Sequence, residues 1–297
     1  MILKENILLK PYSTFKIGSK ACYFQSHFQE RSEIEALFDF TEKKNTDLRI
    51  VGCASNLLFS DEAIDGIVYR HVQDTFLEPE LVREDDDKVV LDVLSSTLKV
   101  KLLEYSSLKN YGGLEFSAGI PGTLGGAIFM NAGTKWGSYS QVVESVECFS
   151  KQESFFVLDK NKYSFSYRNF DAQNRKYDLI YKIRISLKKN SFDSNKVNEI
   201  LKYRGLKQAL EFPNCGSIFK NPPVEVSKIG AGRLIEKSGL KGTQIGGARV
   251  SLKHANFIHN VGNASALDVK NLILLIQKEI KNQFNVSLHR ELIYFVD

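Results

Sequence analysis

The sequence lacks several patterns that commonly identify a class of protein. Its 4 cysteines form no CxxC pair and have no Cys/His spacing typical of zinc, so we predict reduced thiols and no metal site. Neither GxGxxG nor GxxxxGKS/T occurs, which excludes a Rossmann or P-loop nucleotide site. The longest apolar runs, such as 272–276, are far shorter than the roughly 18 residues that span a bilayer, so no membrane insertion is expected.

Charge of one sign is also not concentrated anywhere in the 297 residues. The formal net charge of +5 is spread over stretches of mixed sign, whereas proteins that bind nucleic acid usually carry a basic patch or stripe. We therefore predict anionic small-molecule ligands and no nucleic acid. The N-terminal stretch interrupts its apolar positions with Lys4, Glu5 and Lys10, so no secretion signal is expected and we predict a cytoplasmic protein. A monomer is predicted as well.

Short apolar stretches typical of strands dominate the chain up to about residue 190. Rich in Val, Ile, Phe and Tyr, they predict half-buried strands at Leu48–Val51, Gly66–Tyr69, Val89–Leu94, Val142–Phe149, Ser154–Leu158 and Leu179–Leu187. Helical periodicity becomes stronger afterwards, and a final strand is predicted at Leu292–Val296. This change of pattern predicts a domain boundary near residue 190.

Helices are predicted at Ser32–Lys44, Leu98–Leu108, Ser194–Gln208, Ala231–Lys237 and Ser265–Phe284. In the first, Ser32 is expected to cap the helix, and Ile34, Leu37 and Phe38 form an apolar stripe. The last opens with Ser265 and Asp268 at the spacing of a capping box, in which each side chain accepts a hydrogen bond from the other residue's backbone N–H.

Glycine is concentrated between residues 112 and 137, in YGGLEFSAGIPGTLGGAIFMNAGTKWG. A backbone without side chains can lie directly against a ligand and direct its amides at phosphate oxygens. A single glycine more commonly makes a turn, but this dense cluster favours a diphosphate site. An earlier loop, VGCASNLLFSD at 51–61, directly follows a predicted strand and alone would be a turn. In chain order, 51–61 is the first glycine loop and 112–137 is the second.

Taken together, the two loops resemble those of the UDP-N-acetylenolpyruvoylglucosamine reductases, the MurB family. The resemblance continues in order through SYRNF at 166, NCGSIFKNPP at 214, AGRLIEKSGLKG at 231, GARVSLKHANFIHN at 247 and the C-terminal HRELIYF. The stretch between Arg168 and Leu179 is too short for an element that some members insert there. The chain therefore resembles the shorter, type II branch.

The resemblance implies an α+β fold with an FAD-binding region of the vanillyl-alcohol oxidase (PCMH) type at 1–190, in two subdomains of about 1–70 and 71–190. A smaller α+β substrate domain would occupy 191–297. The implied reaction reduces the enolpyruvyl group of a UDP-sugar, UDP-N-acetylglucosamine enolpyruvate, to UDP-N-acetylmuramate for peptidoglycan. The implied cofactors are tightly, non-covalently bound FAD and NADPH as co-substrate.

The FAD contacts implied by the resemblance lie in both glycine loops, at Gly52, Ser55, Asn56, Leu57, Ile120, Pro121, Gly122, Gly125, Gly126, Asn131, Ala132 and Gly133. One departure is Ala54, where the family usually has glycine. Alanine still permits amide contacts if its φ is negative, and on that condition we expect FAD binding to survive.

Three catalytic residues are implied by matching motifs. Arg168 would stabilise the negative charge that develops on the substrate, because guanidinium stays charged and presents a rigid fork to a carboxylate. Ser217 would donate the proton to the substrate carbon, where position matters more than acidity. Glu291 would act in its protonated form or paired with Arg168. Taken singly, these residues also suit surface, turn or solvated positions.

Substrate contacts are implied at Lys220, Asn221, Lys241 and His254, and Asn256 is a further pocket residue. Lysine is a common phosphate partner but also the commonest solvated cation, and His254 also suits a hydrogen-bonded core position. The role of Arg233, where relatives often have an aromatic residue, is left open.

Two other functions remain compatible with the fold that the resemblance implies. The first is a related FAD-dependent oxidase of a small molecule or sugar, and the second is a flavin-binding protein without activity. Reduction by NADPH without rapid oxygen consumption would distinguish the reductase from the oxidase. The presence of all three implied catalytic residues favours an enzyme.

Overall fold

The computed structural model describes residues 3–26, 30–209 and 211–295. The strands are β1 (Lys4–Leu8), β2 (Lys20–Ser26), β3 (Leu48–Val51), β4 (Leu57–Leu58), β5 (Ile64–Arg70), β6 (Glu80–Glu84), β7 (Lys88–Leu94), β8 (Gly133–Thr134), β9 (Gly137–Ser138), β10 (Val143–Ser150), β11 (Ser154–Asp159), β12 (Ser164–Ser166), β13 (Asn169–Asp171), β14 (Leu179–Lys188), β15 (Gln244–Ile245), β16 (Ala248–Val250), β17 (Ile258–Asn260) and β18 (Ile293–Tyr294). The helices are α1 (Arg31–Lys43), α2 (Lys99–Leu108), α3 (Leu124–Phe129), α4 (Ser194–Lys207), α5 (Ala231–Lys237) and α6 (Ala266–Phe284).

The chain divides into two compact units. Unit 1 contains Leu3, Gln25–Cys53 and Ile67–Arg204, and unit 2 contains Lys4–Phe24, Ala54–Gly66 and the chain from Gly205 onward. Compactness does not show which residues bind a ligand, so the functional division at about residue 190 stays a prediction.

Unit 1 is built on a five-stranded sheet in the order β11-β10-β14-β7-β6, in which all neighbouring strands are antiparallel. Alternate residues of β14, such as Ile183, Ile185 and Leu187, are buried, as expected for a strand with one face on a core. Five consecutive residues of β7 are buried, so both of its faces are covered. The predicted strands are thus confirmed to within two residues at each end.

A smaller core of unit 1 lies under α1, beside the parallel pair β3 and β5. Ile34, Leu37 and Phe38 are buried there, and the predicted apolar stripe is confirmed. The predicted cap Ser32 is wrong, because the helix begins at Arg31 and Glu30 is the N-cap residue. The backbone N–H of Glu30 donates to the Glu33 carboxylate at 3.3 Å, so an acidic residue in the first turn replaces the expected serine.

Unit 2 packs α5, α6 and the three-stranded antiparallel sheet β15-β16-β17 around one core. The predicted capping box of α6 is confirmed: the Asp268 N–H donates to Ser265 Oγ at 2.9 Å, and the Ser265 N–H donates to the Asp268 carboxylate at 3.0 Å. Asp61 adds a distant cap, since its carboxylate accepts from the N–H groups of Ala266 and Leu267 at 2.7 and 2.9 Å. These caps fix the start of the longest helix among the described residues.

Two strand pairs complete unit 2. Strands β1 and β2 form an antiparallel pair, and β4 pairs in parallel with β18. The last pair joins the first glycine loop, at 51–61, to the C-terminal segment. The predicted strand Leu292–Val296 is present as Ile293–Tyr294, and Val296 lies outside the described residues. Among the described residues, no helix is both long and apolar enough to cross a bilayer.

Candidate functional site

In unit 1, the first glycine loop approaches the second at one very close point. A Cβ atom on Gly52 would lie 2.6 Å from Thr123 Oγ1, so only glycine allows this approach. Thr123 is also the N-cap of α3, because its hydroxyl oxygen accepts from the Gly126 N–H at 3.3 Å. The backbone amides at the start of α3 therefore lie beside the end of β3.

The segment 122–125 is tied to the turn between β7 and α2 by three backbone hydrogen bonds. The N–H groups of Leu124 and Gly125 donate to the carbonyls of Thr97 and Ser95, both at 2.8 Å, and the Lys99 N–H donates to the Gly122 carbonyl at 3.1 Å. A Cβ on Gly125 would lie 2.8 Å from Ser95 Cβ. The glycines thus allow close backbone packing, which holds the loop in place.

A buried hydrogen-bond chain supports this turn from below. Ser95 Oγ donates to the Ile180 carbonyl at 2.6 Å, so its oxygen accepts from His71 Nε2 at 2.8 Å, and His71 Nδ1 accepts from Tyr69 Oη at 2.6 Å. Burial lowers the pKa of His71 to about 4, so the ring stays neutral in this tautomer at pH 7. Sequence patterns gave no signal for these hydrogen bonds, because Tyr69 and His71 lie far from Ser95 and Ile180 along the sequence.

The rest of the second loop is held by its own side chains and turns. Asn131, at φ 38°, donates through Nδ2 to the Ser166 carbonyl at 2.9 Å. The Ala132 N–H donates to the Ala127 carbonyl at 2.7 Å, and a Cβ on Gly133 would lie 2.5 Å from that of Ser138. Of the other predicted contacts, Pro121 and Gly126 are exposed, whereas Ile120 is half-buried.

Ala54 adopts a left-handed backbone conformation, with φ 47° and 3% exposure. The condition of a negative φ, on which tolerance of alanine was expected to depend, is therefore not met. A Cβ in this region costs roughly 1–2 kcal/mol, which explains why glycine suits the position. The methyl group is accommodated in this chain at the expense of backbone strain.

Several buried polar atoms of unit 1 have no hydrogen-bond partner within the described part of the chain. They include both polar atoms of the Gln73 side chain and Thr97 Oγ1. Gln73 follows β5, and Thr97 belongs to the turn that holds the second loop. Unsatisfied buried donors and acceptors are costly, so a polar ligand bound against them would repay their desolvation.

Arg168 lies in unit 1 at the tip of the two-residue turn between β12 and β13. Its φ is 56°, which is uncommon for a residue with a side chain, and the side chain is half-buried. The guanidinium carbon lies 5.0 Å from the centroid of the Tyr167 ring. The turn thus presents a cationic side chain at a strained position, which is typical of functional residues.

In unit 2, the segment carrying Ser217 lies between two others. Ser217 bridges to Phe257, and the Ile218 N–H donates to the Asn256 carbonyl at 2.9 Å. The Asn256 side chain accepts from the Phe219 N–H at 3.0 Å and donates to the Phe219 carbonyl at 2.8 Å. Asn256 is 5% exposed. Its side-chain amide makes the two hydrogen bonds to Phe219 that the backbone of a neighbouring strand would otherwise make.

Glu291 lies on the opposite side of the same segment. Its N–H donates to the Ile218 carbonyl at 2.8 Å, and its own carbonyl accepts from Asn56 Nδ2 at 3.0 Å. The Lys220 N–H donates to the His289 carbonyl at 2.9 Å. The structure thus brings together predicted catalytic, substrate and cofactor residues of unit 2: Ser217, Glu291, Lys220 and Asn56.

The other predicted substrate residues have structural partners. Asn221 Oδ1 accepts from the Ala231 N–H at 3.0 Å at the start of α5. Lys241 and Arg233 both pair with the Glu236 carboxylate at 2.7 Å, and these partners lower the pKa of Glu236 to about 2. Burial lowers the pKa of His254, so the ring is neutral at pH 7. Arg233, whose role was open, is an ion-pair residue.

These features define a class: an α+β protein with glycine-dependent loops and unsatisfied buried polar groups that suit a nucleotide cofactor. The model for "UDP-N-acetylenolpyruvoylglucosamine reductase, C-terminal domain" matches residues 208–295. The UDP-N-acetylenolpyruvoylglucosamine reductase of Chlamydia muridarum is 38% identical to this chain, and the match covers 97% of this chain and 93% of that protein. The reductase of the same name from Clostridium tetani is 35% identical, and the match covers 98% of this chain and 91% of that protein.

A solved structure shows the same fold. The crystal structure of UDP-N-acetylenolpyruvylglucosamine reductase (MurB) from Thermus caldophilus matches with a TM-score of 0.78 and 29% identity, covering 99% of both chains. The predicted fold class is thereby confirmed. This chain belongs to the UDP-N-acetylenolpyruvoylglucosamine reductase family, and membership implies a flavin cofactor.

The strain at Ala54 gives a first testable prediction. Ala54→Gly should leave the free energy of unfolding unchanged or raise it by up to about 1 kcal/mol, because relief of the left-handed strain offsets the greater freedom of glycine in the unfolded chain. Urea unfolding measures the change. The matched control is Ala36→Gly in α1, which should lose about 1 kcal/mol. Equal losses in both variants would contradict the strain at Ala54.

Proposed function

We propose that this protein is an NADPH-dependent, FAD-containing reductase that converts UDP-N-acetylglucosamine enolpyruvate to UDP-N-acetylmuramate in peptidoglycan synthesis. The observation that supports this most strongly is the identity of 35–38% with reductases of that name over 97% or more of the chain. A match of this extent includes most of both units. We propose a cytoplasmic monomer as part of the same function.

The glycine loops are proposed to hold FAD without a covalent bond, through the amides of 52–57 and 120–133. The glycine-enforced approach of Gly52 to Thr123 and the unsatisfied side-chain atoms of Gln73 and Thr97 in the described part of the chain support this assignment. When bound, the flavin supplies the hydride chemistry between NADPH and the substrate. The protein's own residues then have to bind, orient and protonate the substrate.

Arg168 is proposed to stabilise negative charge on the substrate. Reduction of a vinyl group conjugated to a carboxylate places charge on the adjacent carbon and on the carboxylate oxygens. A guanidinium presents two N–H donors to a carboxylate in one plane and does not lose its proton. The strained turn holds this group in place before substrate arrives, which reduces the reorganisation needed during the reaction.

Ser217 is proposed to donate the proton to the substrate carbon. Backbone hydrogen bonds fix the residues on its C-terminal side, and Ser217 is bridged to Phe257. A carbanionic carbon is a strong base, so a weakly acidic hydroxyl suffices when it is correctly positioned. The rigid segment provides that position.

Glu291 is proposed to act next to Ser217, since its backbone is bonded to Ile218, the residue after that serine. In its protonated form the carboxyl group can donate a hydrogen bond to developing negative charge, whereas an ionised carboxylate would oppose that charge. Asn56 holds the carbonyl of Glu291 and thereby fixes the start of this segment.

Lys220 and Asn221 are proposed to contact the anionic and sugar groups of the substrate, with Lys241 and His254 as further contacts.

The overall reaction can be tested by absorption spectroscopy of the purified protein. We expect a flavin spectrum that loses its absorption when NADPH is added without oxygen and regains it when the enolpyruvyl substrate follows. Oxygen should restore the spectrum much more slowly than substrate. Rapid recovery with oxygen and none with substrate would instead identify an oxidase, and a protein with no flavin that binds none on addition would refute the proposal.

Replacement of the proposed proton donor should separate the two half-reactions. In Ser217→Ala we expect flavin reduction by NADPH to stay within about twofold of the unchanged protein, while reoxidation by substrate slows by about 100-fold or more, the usual contribution of a positioned acid. Stopped-flow absorption measures both steps. Ser287→Ala, an exposed serine of unit 2, is the control and should alter neither. Equal slowing of both steps would reject the role of Ser217.

Arginine and lysine should not be interchangeable at residue 168. We expect Arg168→Lys to lower turnover by about 100-fold or more, because an ammonium group cannot form the two parallel bonds of a guanidinium. The flavin spectrum and melting temperature should change little. Arg83→Lys, an exposed pair with Glu144 in the same unit, is the control. Near-normal turnover of Arg168→Lys would contradict the proposed charge stabilisation.

A further inference from the structure

Lys99 is a buried lysine in unit 1. It is the first residue of α2 and is only 4% exposed. Within 3–26, 30–209 and 211–295, no residue forms a hydrogen bond or ion pair with its ammonium group. Burying an ammonium ion without a partner is costly, so a lysine retained in such a place is usually neutral or has a partner that arrives with a ligand.

The ionisable groups around Lys99 increase this cost. Two guanidinium groups, those of Arg204 and Arg168, act on it, and the Arg204 side chain is itself held to the Gly119 carbonyl at 2.9 Å. The third neighbouring group is the Cys53 thiol, which also interacts with Arg70. Lys99 therefore has two guanidinium groups and one thiol as its ionisable neighbours.

The carboxylates on neighbouring segments are already engaged. Glu115, in the short helix 115–117 that packs against α2, accepts from the N–H groups of Gly113 and Asp193 at 2.8 and 3.1 Å. On α2 itself, the Glu104 carboxylate pairs with Lys101 at 2.8 Å. Neither provides Lys99 with a counter-charge.

The protonation state of Lys99 follows from these surroundings. Burial, together with Arg204 and Arg168, lowers the pKa of Lys99 to about 7. A thiolate at Cys53 would oppose this change, but burial raises the pKa of the Cys53 thiol, so that group is neutral at pH 7. The lysine therefore gains or loses its proton close to physiological pH.

The position of Lys99 indicates which anion it would meet. Its N–H holds the Gly122 carbonyl in the second glycine loop, and Cys53 is the residue after Gly52 in the first. Thr97 Oγ1, a buried atom without a hydrogen-bond partner in the described part of the chain, belongs to the same region. Lys99 is thus adjacent to both loops that are proposed to hold the flavin nucleotide.

We propose that Lys99 is a further cofactor-binding residue, whose ammonium group pairs with the diphosphate of the flavin nucleotide. This inference rests on the proposed function, because it takes from it the identity of the bound nucleotide. The cationic surroundings that make a charged lysine unfavourable in the empty protein become favourable once a doubly charged diphosphate is bound. Binding then draws a proton onto the lysine.

The sign of the pH dependence follows directly. Above pH 7 the free protein must take up a proton in order to bind the diphosphate, whereas below pH 7 the lysine is already charged. The affinity for FAD should therefore weaken as the pH rises, by about tenfold between pH 7 and 8.5, because each unit above the pKa of the free group costs up to a factor of ten. The affinity for riboflavin, which has no phosphate, should not follow this trend.

The experiment measures release of FAD from the intact holo-protein on dilution, by recovery of flavin fluorescence, at pH 6.5 to 8.5. Calorimetric titration in buffers of different ionisation enthalpy counts the protons taken up when FAD rebinds. The unchanged protein should take up close to one proton at pH 8 and release FAD faster at high pH. Riboflavin titrations at the same pH values provide the phosphate-free comparison.

Three variants separate charge from packing. Lys99→Met preserves the apolar length of the side chain and should bind FAD about tenfold or more weakly at pH 6.5, with no proton uptake. Lys99→Arg should keep its affinity and lose the pH dependence. Lys101→Met, an exposed lysine of the same helix, should behave as the unchanged protein. Melting curves with and without FAD establish that each variant is folded.

Several results would overturn the inference while leaving the proposed function intact. These are FAD affinity and proton uptake in Lys99→Met equal to those of the unchanged protein, or an equal loss of affinity for riboflavin. A third is an unchanged FAD affinity of Lys99→Met together with a raised KM for the UDP-sugar, which would indicate that Lys99 binds the substrate anion instead. Failure of the unchanged protein to bind FAD would instead contradict the proposed function itself.

Discussion

In unit 1 the backbone at Gly52 passes so close to Thr123 that a Cβ atom would lie 2.6 Å from its hydroxyl oxygen. The same hydroxyl caps α3, so the helix begins directly beside the end of β3. A chain of buried hydrogen bonds through Tyr69, His71 and Ser95 prevents this contact from relaxing, because Ser95 in turn holds Gly125. Backbone amides can then face a ligand without intervening side chains, and the glycine loops depend on this constraint.

Unit 2 reaches a comparable rigidity by a different route. Strands β15, β16 and β17 are only two or three residues long, too short to hold a segment firmly by backbone pairing alone. Two asparagine side chains supply the missing bonds: Asn256 binds both backbone groups of Phe219, and Asn56 holds the carbonyl of Glu291. Asn56, which resemblance assigns to the cofactor, therefore also has a structural contact.

The strands and helices of the sequence were predictable where their patterns are local. Val89–Leu94 and Leu179–Leu187 are confirmed because burial of alternate or consecutive residues is visible in the sequence itself. By contrast, β6 is exposed along its whole length and has no such pattern. The positive φ of Ala54 could not be predicted, because alanine normally indicates the opposite, and Lys99 resembles a surface lysine until the fold buries it. The candidate site residues were predicted from motifs rather than from periodicity, and motifs could not show that the Asn256 side chain binds the backbone of Phe219.

The buried lysine also couples folding to ligand binding. In the unfolded chain its pKa is near the ordinary 10.5, and in the folded chain burial lowers the pKa to about 7. The contribution of Lys99 to the stability of the fold is therefore fully present above the unfolded-state pKa. It is lost as the pH falls from there toward the folded-state pKa. Binding of an anion has the opposite dependence, because it requires the charged form. At low pH the protein without ligand is destabilised by the buried charge of Lys99. Its affinity for a diphosphate is greatest under the same conditions. The bound anion therefore stabilises the fold most strongly where burial of the charge destabilises it most.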